Sequence, residues 1–304
     1  MKKHYKLATI VVNYKSDERT VTYIKEELLK KCSVPQIIVV VNNGAADSSS
    51  QMLGLSLNAV IVKDIILYDM DSQIYVIHSV ENLGFAGGNN LGVDFVKRHF
   101  EVDFLLFSNN DIHLCSVGVI EKLIQKMETL ADVGIIGPKV VGMDGHCQSP
   151  NDYVPFWKEL VGVPWERFIP FLHLKHLNQN QAKEGYYFRV MGSFFLMKFD
   201  DFMHCGMMDS CTFLFYEEAI LSERLRLINK RVYYYPAVAV LHDHGFSINR
   251  SPHVMKQRDY MFESALYFYK TYKHVSKISI IVVKCLHYIY RNLQYAKRCI
   301  RKKI

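Results

Sequence analysis

A chain of 304 residues, half of them hydrophobic, can bury a sizeable core in one large domain or two small ones, which excludes a disordered chain. Seven cysteines form no C-x-x-C pair and no metal-finger spacing, which excludes a zinc-finger module and points to free thiols in a reducing compartment. The net charge of +7 lies at one end: Ser264–Ile304 holds ten Lys or Arg and no acid, leaving 27 basic and 30 acidic residues before it.

The elements alternate along the chain. The opening MKKHYKLATIVVNYKSDE is basic and then apolar. Its apolar stretch is too short for a signal h-region, so Leu7–Val12 reads as the first strand. Ser16 is placed to cap a helix to about Lys31, with Val21, Ile24, Leu28 and Leu29 on one face. After Pro35 a second strand, Gln36–Val41, stops on Asn42, Asn43 and Gly44. A variable stretch from Ala45 leads to a strand near Ile74–His78. The Gly-rich turn NLGFAGGNNLG (82–92) opens a helix to about Phe100. An apolar run from Val102 to Phe107 is the next strand, followed by a helix near Val117–Leu130 and a strand at Val133–Ile136. Strands alternating with helices predict an α/β fold with a mostly parallel, doubly wound sheet. Between Asn151 and Tyr187 three prolines, both tryptophans and several histidines predict an irregular excursion.

Three strand exits carry chemistry. The run ending at Phe107 stops on Ser108, Asn109, Asn110 and Asp111, which puts a carboxylate beside carboxamides at the strand's C-terminal mouth. Ligands of open α/β sheets bind at that edge, and hard oxygens there suit a divalent cation; a plain Asx-rich turn is the alternative. The Gly-rich turn does not match G-x-G-x-x-G, which argues against a dehydrogenase. Its glycines still let backbone N–H groups approach an anion at a helix start. Adjacent acids Glu217 and Glu218 follow the aromatic run FLFY, with Arg224 beyond. Close, partly buried carboxylates raise one another's pKa and suit one to base chemistry; acids at a helix start are the alternative. Finally the strand Val240–Leu241 ends on His242, Asp243 and His244.

The tail interleaves its basic residues with Tyr267, Phe268, Tyr269, Ile278–Val283, Leu286 and Tyr288–Tyr290. Ile278–Tyr290 is too short to span a bilayer. The composition suits an amphipathic helix on an anionic membrane surface; a packed helix pair with a solvated basic face is the alternative. A slightly acidic body without a nucleic-acid module disfavours nucleic acid as a partner.

In order along the chain, these segments resemble family 2 glycosyltransferases of GT-A fold, and among them the rhamnosyltransferase-like transferases of capsular and O-antigen polysaccharides. TIVVNY matches the I-V-x-Y start, VVVNNGAADS matches V-V-D-N-x-S-x-D-x-S, and NLGFAGGNNLG matches N-x-G-F-a-g-g-N-N-x-G. FSNND stands at the degenerate D-x-D position, and GPKVVGMDGHCQS at the following hairpin. The span from Met191 and Gly192 through LFYEEAILSERL matches G-x-F-D…l-Y-x-E-D-v-D-L-x-x-R-l, and HDHGFS matches H-x-x-G-x-S. The resemblance implies a Rossmann-like GT-A catalytic domain over residues 1–250, with a nucleotide-sugar half to about 112 and an acceptor half beyond, plus a basic helical tail over 251–304.

It further implies inverting transfer from a UDP- or dTDP-sugar to a glycan or polyprenyl-linked acceptor in surface polysaccharide synthesis, on the cytoplasmic face of the plasma membrane. Asp111 and His242 would hold Mn²⁺ or Mg²⁺. Glu218 would be the base, and Glu217 and Gly192 would meet the acceptor. Val12, Asn13, Tyr14, Asn42, Asn82, Gly87, Asn90, Asn109, Asn110 and Arg224 would serve the donor. Four positions depart from the family: Asn42 replaces an Asp, Asn109 and Asn110 leave one charged metal ligand, Glu218 replaces an Asp, and Ile220 replaces a second acid. These departures keep open a catalytically inactive sugar-nucleotide binder or scaffold of the same fold.

Overall fold

The computed structural model describes residues 2–63, 71–162, 165, 177–243 and 254–301. Residues 163–164 and 166–176 of the expected excursion, and His244–Ser247 of the HDHGFS match, lie outside them. Ten strands follow in chain order: β1 (Lys3–Asn13), β2 (Gln36–Asn43), β3 (Val60–Val62), β4 (Ile74–Ser79), β5 (Phe100–Ser108), β6 (Ile112–Leu114), β7 (Val133–Gly142), β8 (Gly185–Tyr187), β9 (Phe194–Lys198) and β10 (Arg231–His242). The α-helices are α1 (Asp17–Thr22), α2 (Asp47–Leu57), α3 (Gly84–His99), α4 (Val119–Glu128), α5 (Phe199–His204), α6 (Glu217–Leu227), α7 (Val254–Thr271) and α8 (Lys277–Arg301).

All ten strands among the described residues join one sheet in the order β3-β4-β2-β1-β5-β9-β7-β10-β6, with β8 beside β10. The first five in that order are parallel throughout, so β1, β2, β4 and β5 deliver their last residues to one edge. Beyond β5 the character changes: β9 runs antiparallel to both β5 and β7, and β10 returns parallel to β7. The expected mostly parallel sheet flanked by helices is therefore present, with an antiparallel insertion at its middle.

Alternation along the strands builds two cores. Leu7, Val11, Phe104 and Leu106 face one side with Ile24, Leu53 and Leu123, while Ala8, Ile10, Leu105 and Phe107 face the other with Val93, Phe202 and Leu221. Each such apolar side chain contributes roughly 1.5–3 kcal/mol on burial. α3 lies close on β1 because Gly92 has no side chain; a Cβ there would come within 2.7 Å of Ile10.

Three elements differ from the sequence expectation. The helix after Ser16 divides into α1 and a π-helical segment, Tyr23–Leu29. The Ser16 hydroxyl donates to Asn13 Oδ1 at 3.0 Å and makes no side-chain cap. The variable stretch after Ala45 contains α2 and β3.

The C-terminal helices build a third core. Ala265, Leu266, Phe268 and Tyr269 of α7 bury against Tyr216, Ala219 and Ile220 at the start of α6, with Ile280 and Val283 of α8 behind. α7 is thus packed on the start of α6. α8 instead leaves Ile278, Ile281, Tyr288 and Ile289 exposed. Among the described residues no helix is long and apolar enough to cross a membrane.

Candidate active site

The parallel edge opens into a cleft of about 680 Å³. Val12 and Tyr14 line it from the exit of β1, Asn82 from the Gly-rich turn, and Asn109, Asn110 and Asp111 from the exit of β5. These six expected residues meet in one place because their strands are parallel neighbours.

Carboxamides fix the walls. Asn43 Nδ2 donates to Asn82 Oδ1 at 3.0 Å and to Gly84 O at 3.1 Å, while its Oδ1 accepts the Leu83 amide at 2.8 Å. Asn110 Nδ2 donates to Ser16 Oγ and Thr20 Oγ1, both at 2.7 Å. Gly84 has φ +72°, and a Cβ there would stand 2.3 Å from Phe213 O, so only glycine fits this start of α3.

Other expected donor residues stand behind the wall. Asn13 and Asn42 are fully buried. Asn13 Nδ2 donates to Asn42 Oδ1 at 2.8 Å and to Asp17 Oδ1 at 2.6 Å, and Asn42 Nδ2 reaches the hydroxyls of Ser49 and Ser50. They set the shape of the β1 and β2 exits without lining the cleft. Gly87 lies inside α3, where a Cβ would meet Leu83. Asn90 exchanges hydrogen bonds with the Met208 backbone. Arg224 does not line the cleft: its guanidinium donates to Gly206 O, Met207 O and the Tyr272 hydroxyl and pairs with Asp209 at 3.2 Å. That network ties α6 to α7 and engages all three guanidinium nitrogens of Arg224.

Asp111 and His242 do come together. His242 is fully buried, its Nδ1 is 2.8 Å from Gln148 Oε1, and its Nε2 is 3.3 Å from Asp111 Oδ1. The Gln148 contact orients the ring so that Nε2 stands on the side of the carboxylate. A carboxylate oxygen and an imidazole nitrogen at that separation can share a cation, and this donor set suits Mn²⁺ or Mg²⁺. The residues fit such an ion as two of its ligands. Among the described residues no group of three His, Cys, Asp or Glu is placed to hold a metal. Arg19 stands beside the pair, 3.0 Å from Asp243 Oδ2 and 4.0 Å from Asp111 Oδ2.

The acidic pair opens α6 next to β9. Phe215 and Tyr216 both hold positive φ, +72° and +71°, a conformation that L side chains adopt at a cost and that gathers at functional sites. Glu217 is 4% exposed. Its pKa is pushed up to about 8, first by burial and then by the charge of Glu218. Glu218 is paired with Arg189 at 3.5 Å. A Cβ on Gly192 would lie 3.4 Å from the Glu218 carboxylate. One residue on, Ser193 O accepts the Asn109 amide at 2.8 Å. Asn109 and Glu218 are therefore joined through a short stretch, Gly192–Ser193.

Sequence reasoning missed Arg189, Arg19, Lys15, Asn43, Phe213 and the first turn of α7, where Lys256, Gln257 and Tyr260 also line the cleft. Asn43, Lys15 and Phe213 had a signal, since they adjoin Asn42 and Tyr14 and open the FLFY run. Arg189, two residues before Met191, and Lys256, beyond the last matching segment, reach their places only through the fold.

No family model matches the chain. It is similar to the low-salt glycan biosynthesis hexosyltransferase Agl10 of Haloferax volcanii, 23% identical over 239 residues, covering 78% of this chain and 67% of that protein. Among solved structures it resembles GalNAc-T7 with UDP, GalNAc and Mn²⁺ at a TM-score of 0.52 and 12% identity, over 79% of this chain and 44% of that one. It also resembles the mannosyltransferase PcManGT from Pyrobaculum calidifontis in complex with GDP-Man and Mn²⁺, at 0.52 and 12%, over 85% of this chain and 63% of that one. The chain thus spans less than half the length of the first structure and under two thirds of the second. The fold is that of the GT-A glycosyltransferases.

Proposed function

We propose that the protein is an inverting glycosyltransferase that moves a sugar from a UDP- or dTDP-sugar to a hydroxyl of a glycan or polyprenyl-linked acceptor. The observation that carries this reading is the juxtaposition of Asp111, which lines a donor-sized cleft, with the buried His242, one strand from the Glu217–Glu218 pair. The hexosyltransferase relative and the GT-A fold support it.

Val12, Tyr14, Asn82, Asn109 and Asn110 hold the nucleotide, backed by Asn13, Asn42, Gly87 and Asn90. Asp111 and His242 hold Mn²⁺ or Mg²⁺, which when bound neutralises charge growing on the leaving diphosphate. Glu218 accepts the proton of the acceptor hydroxyl as its oxygen forms the bond to the anomeric carbon and the bond to the diphosphate breaks. Arg189 keeps Glu218 oriented. Glu217, protonated at neutral pH, is a hydrogen-bond donor to the acceptor beside Gly192 and a poor base. This division of labour explains why two adjacent acids do not compete for one role.

The finer setting we propose is surface polysaccharide synthesis of the capsule or O-antigen kind at the cytoplasmic leaflet. α8 supports it, with exposed Ile278, Ile281, Tyr288 and Ile289 beside Lys277 and Lys284. Each Lys or Arg near an anionic surface contributes ~1 kcal/mol, screened by salt. The full chain should co-sediment with anionic vesicles at low salt and less at high salt. Ile281→Ser with Ile289→Ser should lose that binding; full retention by this variant means α8 is not the anchor.

A melting-temperature screen against nucleotide sugars, with and without Mn²⁺, tests the donor reading, because a ligand of the folded state raises its stability. Release of free nucleoside diphosphate from the stabilising donor then separates an enzyme from a binder. Stabilisation without any release would favour the inactive binder instead.

A further inference from the structure

We propose that the first turn of α7 is part of the donor site, and that Lys256 on α7 and Lys15 after β1 bind the donor diphosphate from opposite lips of the cleft. This rests on the donor reading above and extends it to a helix that the sequence assigns to the tail. Lys15 and Lys256 both line the cleft. Against these two ammonium groups the lining holds one carboxylate among the described residues, Asp111. A cleft with that balance attracts an anion, and more strongly once a cation sits on Asp111.

The two lips are built alike. Lys15 Nζ stands 5.3 Å from the centre of the Tyr14 ring, and Lys256 Nζ stands 5.6 Å from that of Tyr260. An aromatic face steadies an ammonium group without neutralising it, leaving its N–H donors for a ligand. Tyr260 is itself held by Phe213, ring centres 4.8 Å apart, and the Phe213 carbonyl accepts the Phe85 amide at 2.9 Å. The start of α7 is thereby keyed to the Gly-rich turn. Lys15 holds φ +53°, a left-handed backbone that a lysine adopts only where its surroundings enforce it. Next to Lys256, the Gln257 Oε1 is buried and has no hydrogen-bond partner among the described residues. It is an acceptor suited to a hydroxyl of the donor.

The pair also answers the degenerate Asn109-Asn110-Asp111 motif. One carboxylate supports less cation charge than two, so neutralising a diphosphate there calls for positive groups of the protein's own. Lysines do this as point charges.

Calorimetric titration of the full chain with UDP, dTDP and GDP, each with Mn²⁺, tests the proposal. Lys256→Gln and Lys15→Gln should each weaken the best-bound nucleoside diphosphate about tenfold or more, and Lys256→Arg should largely restore it. The same variants should bind the corresponding nucleoside as the parent chain does, since the loss concerns phosphate. Lys270→Gln, on α7 outside the cleft, should bind like the parent. If the parent chain binds a nucleoside diphosphate and Lys256→Gln binds it equally, the proposal is overturned while the donor reading stands. If the parent chain binds none of the three, the donor reading falls and the proposal with it. Unchanged melting temperatures for the lysine variants keep misfolding out of the comparison.

Discussion

The two sides of the candidate site are held by opposite means. On the donor side the chain uses neutral carboxamides, and Asn13, Asn42, Asn43, Asn82 and Asn110 are all hydrogen-bonded to protein partners at ordinary distances. On the acceptor side it uses charge and strain: two adjacent carboxylates, one of them buried, after two residues of positive φ. Neutral amide networks form a rigid wall that does not titrate. Burial keeps a proton on Glu217 at neutral pH, which in the proposed reading leaves Glu218 as the proton acceptor. In the proposed reading, substrate shape and proton chemistry belong to separate parts of the sheet edge, and each part can be broken alone.

The largest expected effect is at the acidic corner. Glu218→Gln keeps the shape and removes the proton acceptor, so turnover should fall ~10²-fold or more while donor affinity stays within a few-fold. Glu217→Gln replaces a protonated carboxyl by a near isostere and should cost less. Steady-state kinetics on both variants decides; a greater loss from Glu217→Gln reverses the two roles. At the other side Asp111→Ala should abolish the metal-dependent part of nucleoside diphosphate binding and leave the acidic corner intact. Unchanged titration heats with Mn²⁺ present would sink that assignment.

The carboxamide wall should answer in stability before activity. Asn13→Ala removes the partner of Asn42, Asp17, Ser16 and Thr20 at a fully buried position. Leaving buried polar groups without partners costs about 1–3 kcal/mol each, so a drop of roughly 2–4 °C or more in melting temperature is expected. A variant that melts like the parent but loses donor affinity would show that Asn13 reaches the ligand after all.

This contrast also explains what could be read from the chain. Strand exits were legible because apolar runs such as 104–107 end abruptly on polar residues, and parallel pairing brings those ends together without further information. The Glu217–Glu218 pair was legible as chemistry, yet its order of burial was not: which acid faces inward depends on the backbone twist at Phe215 and Tyr216. Arg224 was misleading because a motif position cannot reveal that Asp209, Gly206, Met207 and Tyr272 claim its guanidinium. α2 escaped notice because its Ser-rich sequence has weak amphipathic patterning. α7 was expected within a helical tail, with packing as the alternative to a membrane surface; its seat against α6 was not legible because aromatic residues mixed with lysines suit either, and Phe268 and Tyr269 are buried there.

The smallest effect is the sharpest test of the comparison, since the buried Glu217 should link stability to pH while the carboxamide wall cannot. Burial first, and Glu218 second, raise Glu217 from 4.5 to about 8. Between those values the folded chain holds a proton there that the unfolded chain has released. Stability must therefore decline as pH rises from about 4.5 toward 8. Glu217→Gln cannot ionise and removes this decline. Its melting temperature should match that of the parent near pH 4.5 and exceed it at pH 8. Glu218→Gln removes the second cause and should make the decline shallower without abolishing it. Asn42→Ala, on the neutral wall, should lower the whole curve by a constant amount and leave its slope alone. Parallel curves for the parent and Glu217→Gln would mean that Glu217 is already ionised in the folded state, and the two acids would then have to share the role of base.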